Sequence, residues 1–534
     1  MPGGENAKRR FGPTPFKKND PLAVVIGGGA TGCGVARDLI LRGFKVTLVE
    51  HDDLGSGTSS RFHGMLQSGA RYAVTDTGFA AECMRERLNI ANLAPQAVET
   101  CGGLFISLPD DPPEFADQFV SGCQNARIPI EEIDPAQVMS EEPEISRQVL
   151  RAFSVPDATV QSWRLVNLLA DDVLARGGEI LTRHRAIGID VSTGRVRAVV
   201  VEGKGGKRHL PADIVVNAAG PWSAQVADLA GEKTNLELGK GSILVFSHRM
   251  VAKAINRCRP PTSHDIIVPT GTISLFGTTS EVVNDPSTTQ VRPEEIQELL
   301  DNAEILLPNA RSYRAFRAWA GVRPLYKPDN WPSDKPLSRR HSIVNHGDRG
   351  IDGFFTICGG SLTTHRSMAE DIGDQICTSL GLEVPCTTTT TPLSSGMKPL
   401  WRPAQNFHRI EHDKQFLAPV CECESVTHQD ITHQIENCSI RCLHDLRRRL
   451  RIGFGPCQGT FCANRVAAMI LRNDSQYDAV EDLEAFWCER LKGSKHTAWG
   501  QQARQILLSD IVYRETLGLR LDDSSALSGN SHEE

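Results

Sequence analysis

The stretch "LAVVIGGGATGCGVARDLILRGFKVTLVE" (22–50) reads as three elements in one line. LAVVI is an apolar run with the look of a buried strand. After the glycines, ATGCGVARDLIL carries a broad apolar stripe through Val35, Ala36, Leu39, Ile40 and Leu41, which predicts a helix that stops at Gly43. KVTLVE predicts a second strand ending at Glu50. Gly27, Gly29 and Gly32 keep the G-x-G-x-x-G spacing. In that pattern Gly27 permits the tight turn, Gly29 lets the backbone approach a pyrophosphate, and Gly32 lets the helix pack close to the strand. The helix N-terminus, with Ala30 and Thr31 in its first turn, then offers N–H groups and a partial positive charge to phosphates. Glu50 is placed to accept a hydrogen bond from a ribose hydroxyl. A strand before the glycines, a helix after them and an acid beyond favour a βαβ dinucleotide site over a structural glycine turn, and with it an α/β fold.

The fingerprint alone does not separate FAD from NAD. Three further stretches favour FAD. "GSGTSSR" (55–61) follows the second strand and supplies Gly57, Thr58 and Ser59. "VVNAAGPWS" (215–223) is a strand ending in a small-residue turn at Ala219 and Gly220. "ICGGSLTTHRSMAEDIGD" (357–374) is a second glycine turn, through Gly359, Gly360, Ser361, Leu362 and Thr363, that opens a helix. N–H groups at such a helix start could face the electron-rich edge of a reduced flavin, although a plain helix cap accounts for it equally well.

Composition bounds the rest. The chain has 534 residues, 40% hydrophobic and 23% charged, which is ordinary globular usage and long enough for more than one domain. A net charge of −7 and an aromatic fraction of 6% argue against a nucleic-acid surface. The N-terminal MPGGENAKRRFGPTPFKKND has no apolar core and does not read as a secretory signal, so the 15 cysteines point to metal or redox chemistry rather than disulfides. No run approaches the ~18 apolar residues of a membrane span. The expected location is cytoplasmic, with any membrane association through a surface or a partner.

Read for organisation, residues 1–20 form a flexible arm and 21–384 an FAD-dependent oxidoreductase domain with an inserted substrate domain. Within it, "AVVVEGKGGKRHLPADIVVNAAG" (198–220) predicts a hairpin feeding a buried strand, and "DIIVPTGTISLFGTTSE" (265–281) predicts paired strands of an antiparallel, substrate-facing sheet. Thr, Ser and Pro dominate "PCTTTTTPLSSGMKPLWRP" (385–403), which places a linker over 385–415. A short module rich in cysteine and arginine occupies 416–475, a helical segment 476–524, and a disordered tail 525–534.

The module holds Cys421 and Cys423 as C-x-C, and Cys457 and Cys462 as C-x4-C. Four thiolates suit a [2Fe–2S] cluster. Structural zinc is the competing reading, but zinc modules favour C-x2-C pairs and neither pair here has that spacing. Cys438 and Cys442, four apart, read as thiols on a helix face. The run Arg447, Arg448, Arg449 and Arg451 would make the field around a cluster positive; a solvated helix face is the plainer reading. Cys33, inside the first helix, reads as packing.

Motifs from residue 22 to residue 500 resemble the FAD-dependent glycerol-3-phosphate dehydrogenase family, within the broader D-amino-acid-oxidase-like flavoproteins. They are IGGGATGCGVARDLILRG, HGMLQSGARYAVTD (63–76), GGLFISLPDD (102–111), VVNAAGPW, GTISLFGTTS (271–280), GVRPL (321–325), DGFFTICGG (352–360), VCECESVT (420–427), DLRRRLRIGFGPCQGTFCANR (445–465) and AWG (498–500). Within the family the chain is most similar to the large catalytic subunits of the anaerobic enzymes. The resemblance implies a Rossmann-like FAD domain with an inserted antiparallel sheet, followed by a small helical BFD-like [2Fe–2S] domain. It implies hydride transfer from a secondary alcohol to FAD. Electrons would then pass through the cluster to partner subunits, one of them flavoprotein-like and the other a membrane-associated iron–sulfur protein that reduces quinone. The resemblance assigns substrate-phosphate contacts to Arg71, Tyr72 and Arg323, in keeping with the bidentate fit of guanidinium to phosphate. The sequence departs from the family at Gln67, where His is usual, at Ser361, where Lys is usual, and at His365, where Tyr is frequent. His63 and His365 are then the candidate bases, with a hydrogen-bonded structural histidine the plainer reading of each. These departures keep open a 2-hydroxy acid, a sugar acid, an amino or imino acid as substrate, or a non-catalytic electron-transfer role.

Overall fold

The computed structural model describes residues 20–328, 331, 337–393, 419–438 and 440–520. The arm expected over 1–20, save Asp20, the expected linker beyond residue 393 and the expected C-terminal tail lie outside these. The chain divides into two compact units. One takes the described residues of 1–59, 165–236 and 324–395, the other those of 60–164, 237–323 and 396–534.

The first unit is built on a six-stranded sheet. Its order is His341–Asn345, Phe354–Gly359, Ile214–Asn217, β1 (Leu22–Ile26), β2 (Lys45–Val49) and Glu179–Leu181. All neighbours run parallel except the first pair. The apolar run of β1 is explained by this position: it is central and flanked on both sides, so nearly every side chain is buried. Helix α1 (Ala30–Leu41) returns the chain from β1 to β2 as predicted, and Gly43 closes it in the left-handed region at φ +92°. The helix His365–Ser379 packs on α1. A side chain at Gly34 would stand 3.3 Å from His365, so the small residue there permits the approach. The buried ion pair Arg37–Asp172 at 2.8 Å ties α1 to a distant segment of the unit, and Arg42–Asp38 at 2.6 Å closes the last turn of the helix on itself. The predicted hairpin forms two strands of a three-stranded antiparallel sheet, Arg185–Ser192, Arg195–Gly203 and Gly206–Pro211. The threonine run at the start of the expected linker is held: Arg37 donates to the carbonyls of Thr388 and Thr391, and Thr388 is buried.

The second unit carries a nine-stranded sheet. It is antiparallel as expected apart from Gly103–Ser107 and Ala254–Arg257, which run parallel because a long excursion joins them. The stretch 265–281 forms the antiparallel pair Ile266–Thr270 and Ile273–Gly277 within it. Helix Pro293–Leu306 covers the sheet through Ile296, Leu299, Leu300 and Ala303. The same unit contains the cysteine module, whose core runs from Val420 to Leu519 and takes in Phe486, Trp487 and Tyr513. Among the described residues no helix is long and apolar enough to cross a membrane.

Candidate functional site

The nucleotide cradle is assembled within the first unit. Gly27 adopts φ +116°, and a Cβ there would lie 2.4 Å from the Ala218 carbonyl oxygen. A Cβ at Gly32 would lie 1.8 Å from the Gly27 oxygen. Only glycine permits this turn, and the clash partners show what it touches: the turn of Ala219 and Gly220 at the end of strand Ile214–Asn217. Gly29 holds the N-cap position of α1 and brings no capping side chain of its own. The Ala30 N–H donates to Ser59 Oγ at 2.9 Å, which draws the Thr58–Ser60 turn onto the helix start. A Cβ at Gly57 would meet the Trp222 ring at 3.3 Å. Glu50 follows β2, and its carboxylate accepts from Gly28 N–H at 2.7 Å and Asp52 N–H at 2.8 Å. Burial raises its pKa, with those two donors opposing the rise. Thr31 lies in the first turn of α1. Gly359 and Gly360, both left-handed, lead into the turn of Ser361, Leu362 and Thr363, which Ser361 and Thr364 close by mutual hydrogen bonds. Cys33 is buried beside this site, and burial followed by Glu50 pushes its thiol up, so it packs rather than reacts. A glycine cradle stripped of side chains, a helix start with a glycine N-cap and an acid beyond the second strand fit the diphosphate and ribose of FAD.

His365 is the first residue of its helix and donates Nδ1–H to the Leu362 carbonyl at 2.9 Å. It belongs to the first unit, whereas His63, Arg71, Tyr72 and Arg323 all lie in the second. There, Arg71 and Arg323 are near enough to His63 to press on its protonation. Burial first, then these two cations, hold the His63 pKa at about 3. Its Nδ1 accepts the Met65 N–H at 3.2 Å, which leaves the ring proton on Nε2. His63 therefore presents a neutral ring with Nε2–H as a donor, in keeping with a hydrogen-bonded structural histidine. Arg71 is anchored: it reaches the buried Asp265 at 3.2 Å, the Thr262 carbonyl at 2.6 Å and Asn256 at 3.3 Å. Arg323 reaches backbone oxygens of Gly239 and Thr279 at 3.4 and 3.2 Å. Tyr72 packs against Phe79, ring centroids 5.0 Å apart.

The four cysteines converge. Cys421 and Cys423 sulfurs lie 3.7 Å apart, and Cys423 and Cys457 sulfurs 3.9 Å apart. Two thiolates on one tetrahedral metal keep about 3.8 Å, given metal–sulfur bonds of about 2.3 Å. Cys462 bears on Cys421 as its neighbour. Contact with Cys423, then burial, pushes the Cys457 thiol up, the penalty that a cationic centre removes. The donor set thus fits a metal–sulfur group. Cys438 and Cys442 do not share a helix face. Cys438 follows helix His428–Asn437 and Cys442 caps helix Leu443–Leu450, both in extended backbone, because the chain breaks between the two helices. The arginine run is not a solvated face either. Arg447, Arg449 and Arg451 are buried, and Arg447 stacks over Trp163 and Phe454. Arg314 and Arg490, which touch the loop before Cys457, were invisible in the sequence: they lie far from the cysteine motif, in stretches with no pattern of their own.

A glycine-cradle flavin fold joined to a four-cysteine module defines the class, an FAD-dependent oxidoreductase with a [2Fe–2S] centre. The match to the FAD dependent oxidoreductase family covers residues 23–366, and that to the BFD-like [2Fe-2S] binding domain covers 419–472. The A subunit of the anaerobic glycerol-3-phosphate dehydrogenase of Escherichia coli K12 is 39% identical over 94% of this chain and 98% of its own. The A1 subunit of the Haloferax volcanii enzyme is 33% identical over 95% and 92%. Among solved structures, the Bacillus halodurans glycerol-3-phosphate dehydrogenase complexed with FAD aligns with a TM-score of 0.58 at 21% identity, covering 94% of this chain and 88% of that one. Glycine oxidase from Bacillus cereus aligns at 0.57 and 21%, covering 70% and 99%, and shares the fold. The chain belongs to the FAD-dependent oxidoreductase family, and within it to the family of anaerobic glycerol-3-phosphate dehydrogenase A subunits.

Proposed function

We propose that the chain oxidises sn-glycerol 3-phosphate, or a related polyol phosphate, to the ketone, and delivers the electrons through its cluster to partner subunits and quinone. The observation that carries this is the 39% identity over 94% of the chain to a relative whose name states that substrate. Bound FAD supplies a hydride acceptor, and the four-cysteine centre a one-electron exit. Residues Gly27, Gly29, Ala30, Thr31, Gly32, Glu50, Gly57–Ser59, Ala219, Gly220 and Gly359–Thr363 hold the flavin; Cys421, Cys423, Cys457 and Cys462 hold the cluster. Arg323, with Arg71 and Tyr72, receives the substrate's anionic end. His63 Nε2–H offers a donor to a substrate oxygen. Two partner subunits complete the route: one is flavoprotein-like, and the other is a membrane-associated iron–sulfur protein, which would place the chain at the inner face of the cell membrane.

The Arg71–Asp265 pair favours a second reading. One carboxylate already claims that guanidinium, which suits a singly charged substrate such as a hydroxy acid better than a phosphate dianion. Anaerobic addition of each candidate, followed by the visible flavin absorbance, separates the two. Bleaching by glycerol 3-phosphate supports the first; bleaching by a hydroxy acid alone supports the second. Arg323→Ala is expected to keep its flavin and to lose reduction by substrate by at least about tenfold, since one charged hydrogen-bonding group contributes about 1.5–3 kcal/mol. Normal turnover of that variant would remove Arg323 from the substrate site.

A further inference from the structure

Reducing the four-cysteine centre adds one negative charge to a group whose ligands are already anionic. Fixed charges nearby therefore bias how readily the electron is accepted. Two cations of the module have carboxylates of their own: Arg451 meets Glu424 at 2.7 and 3.2 Å, and Arg448 meets Asp445 at 3.4 Å.

Arg314 and Arg490 are placed differently. Arg314 stands just before strand Ala315–Tyr326. It donates Nη2 to the Pro456 carbonyl at 2.7 Å, directly ahead of Cys457, and Nη1 to Gln502 at 3.1 Å. Its guanidinium is thereby held against the backbone of the loop that carries Cys457. Arg490 is 5% exposed, donates to the Gly453 carbonyl at 3.3 Å, and stacks over Phe454 and Phe486 at 5.9 and 5.7 Å. Phe486 fills the turn at Gly453 and Gly459, so close that a Cβ at either glycine would lie 2.6 Å from its ring. Tyr513 donates to the Gly459 carbonyl of the same loop, so Arg490 and Tyr513 hold backbone carbonyls of the segment that carries Cys457 and Cys462. Glu489 is the carboxylate Arg490 answers to, and it also serves Arg317, Lys492 and Arg447. Buried guanidinium charge that outnumbers its carboxylates is costly unless another negative group lies near. An anionic iron–sulfur centre is such a group.

The geometry points to Arg314 and Arg490 as positioning residues that brace the Cys457 loop by its carbonyls and raise the reduction potential of the [2Fe–2S] centre. The step concerned is the gain of one electron by the centre from reduced flavin; no bond or proton changes at either arginine. The inference rests on the cofactor assignment and fails separately from it. The test is an EPR-monitored redox titration of the anaerobically purified full chain, with iron and sulfide measured beside it. Arg314→Gln is expected to lower the reduced-to-oxidised ratio at a fixed ambient potential by about tenfold, about 59 mV for one electron, with cluster content unchanged. Arg314→Lys, which keeps the charge and loses the fork, restores most of the ratio. Arg490→Gln shifts in the same direction; should it fail to fold, the Arg314 pair decides. An unshifted potential in Arg314→Gln with a full cluster, or a Lys variant shifted as far as Gln, overturns the proposal. Absence of iron and sulfide from the unaltered chain overturns the proposal and the cofactor assignment together.

Discussion

At the scale of the residue, His63 shows how position inverts an expectation drawn from residue type. A histidine next to a motif with an anion-binding arginine invites the role of base, yet burial beside Arg71 and Arg323 holds its pKa at about 3, against an ordinary value of 6.5. The unfolded chain binds a proton there between those two values and the folded chain does not. Stability from this group is therefore complete above pH 6.5 and is lost as pH falls through the interval toward 3. His63→Gln is expected to narrow the difference in unfolding midpoint between about pH 7 and about pH 5, measured by urea denaturation at each pH. An unaltered difference would show that His63 is not held neutral by the fold. Glycines at 27 and 32 were fully legible beforehand because their role is steric and local. The protonation state of His63 was not, because burial sets it first, and of the two cations that add to it Arg323 comes from a distant segment.

At the scale of the element, the loop from Gly453 to Cys462 is shaped by an aromatic ring from a helix outside the cysteine motif. Phe486, on helix Ala479–Leu491, is fully buried against Gly453 and Gly459, both left-handed. Phe486→Ala removes the surface on which the cysteine-bearing turn is moulded. It is expected to cost about 3–5 kcal/mol in the module and to lower bound iron per chain, read by thermal unfolding and iron analysis. Full iron content with the stability loss would show that the turn holds its shape without the ring. The sequence revealed the βαβ unit because β1 is a continuous apolar run, α1 a broad apolar stripe and β2 a second apolar run, all within consecutive residues. It misled at Leu443–Leu450, where charges at successive positions looked solvated. Arginine side chains there lie instead against Trp163 and Phe454, and stacking partners so far apart leave no trace in local periodicity.

At the scale of the whole molecule, each unit is stitched from three chain segments, and of the boundaries between units only that at Ser395 falls in a composition shift, the Thr-, Ser- and Pro-rich stretch 385–403. The elements could be read in order, but their allocation could not, since long-range pairing, such as strand Gly103–Ser107 beside Ala254–Arg257, decides it. The allocation has a chemical consequence. Flavin-cradle residues fall in one unit, whereas the cysteines fall in the other, so the two redox groups depend on separate sets of contacts. Damage to one should spare the other. Cys457→Ser removes a sulfur in contact with Cys423 without touching the Gly27–Gly32 turn. The variant is expected to retain its flavin and its bleaching by substrate. It should lose transfer to a one-electron acceptor that draws through the cluster, and its iron and acid-labile sulfide should fall together. Rapid-mixing absorbance follows the first process, and steady-state acceptor reduction the second. Loss of both processes at once would mean that the cluster supports flavin chemistry directly. Unchanged iron would mean that Cys457 is not one of its ligands.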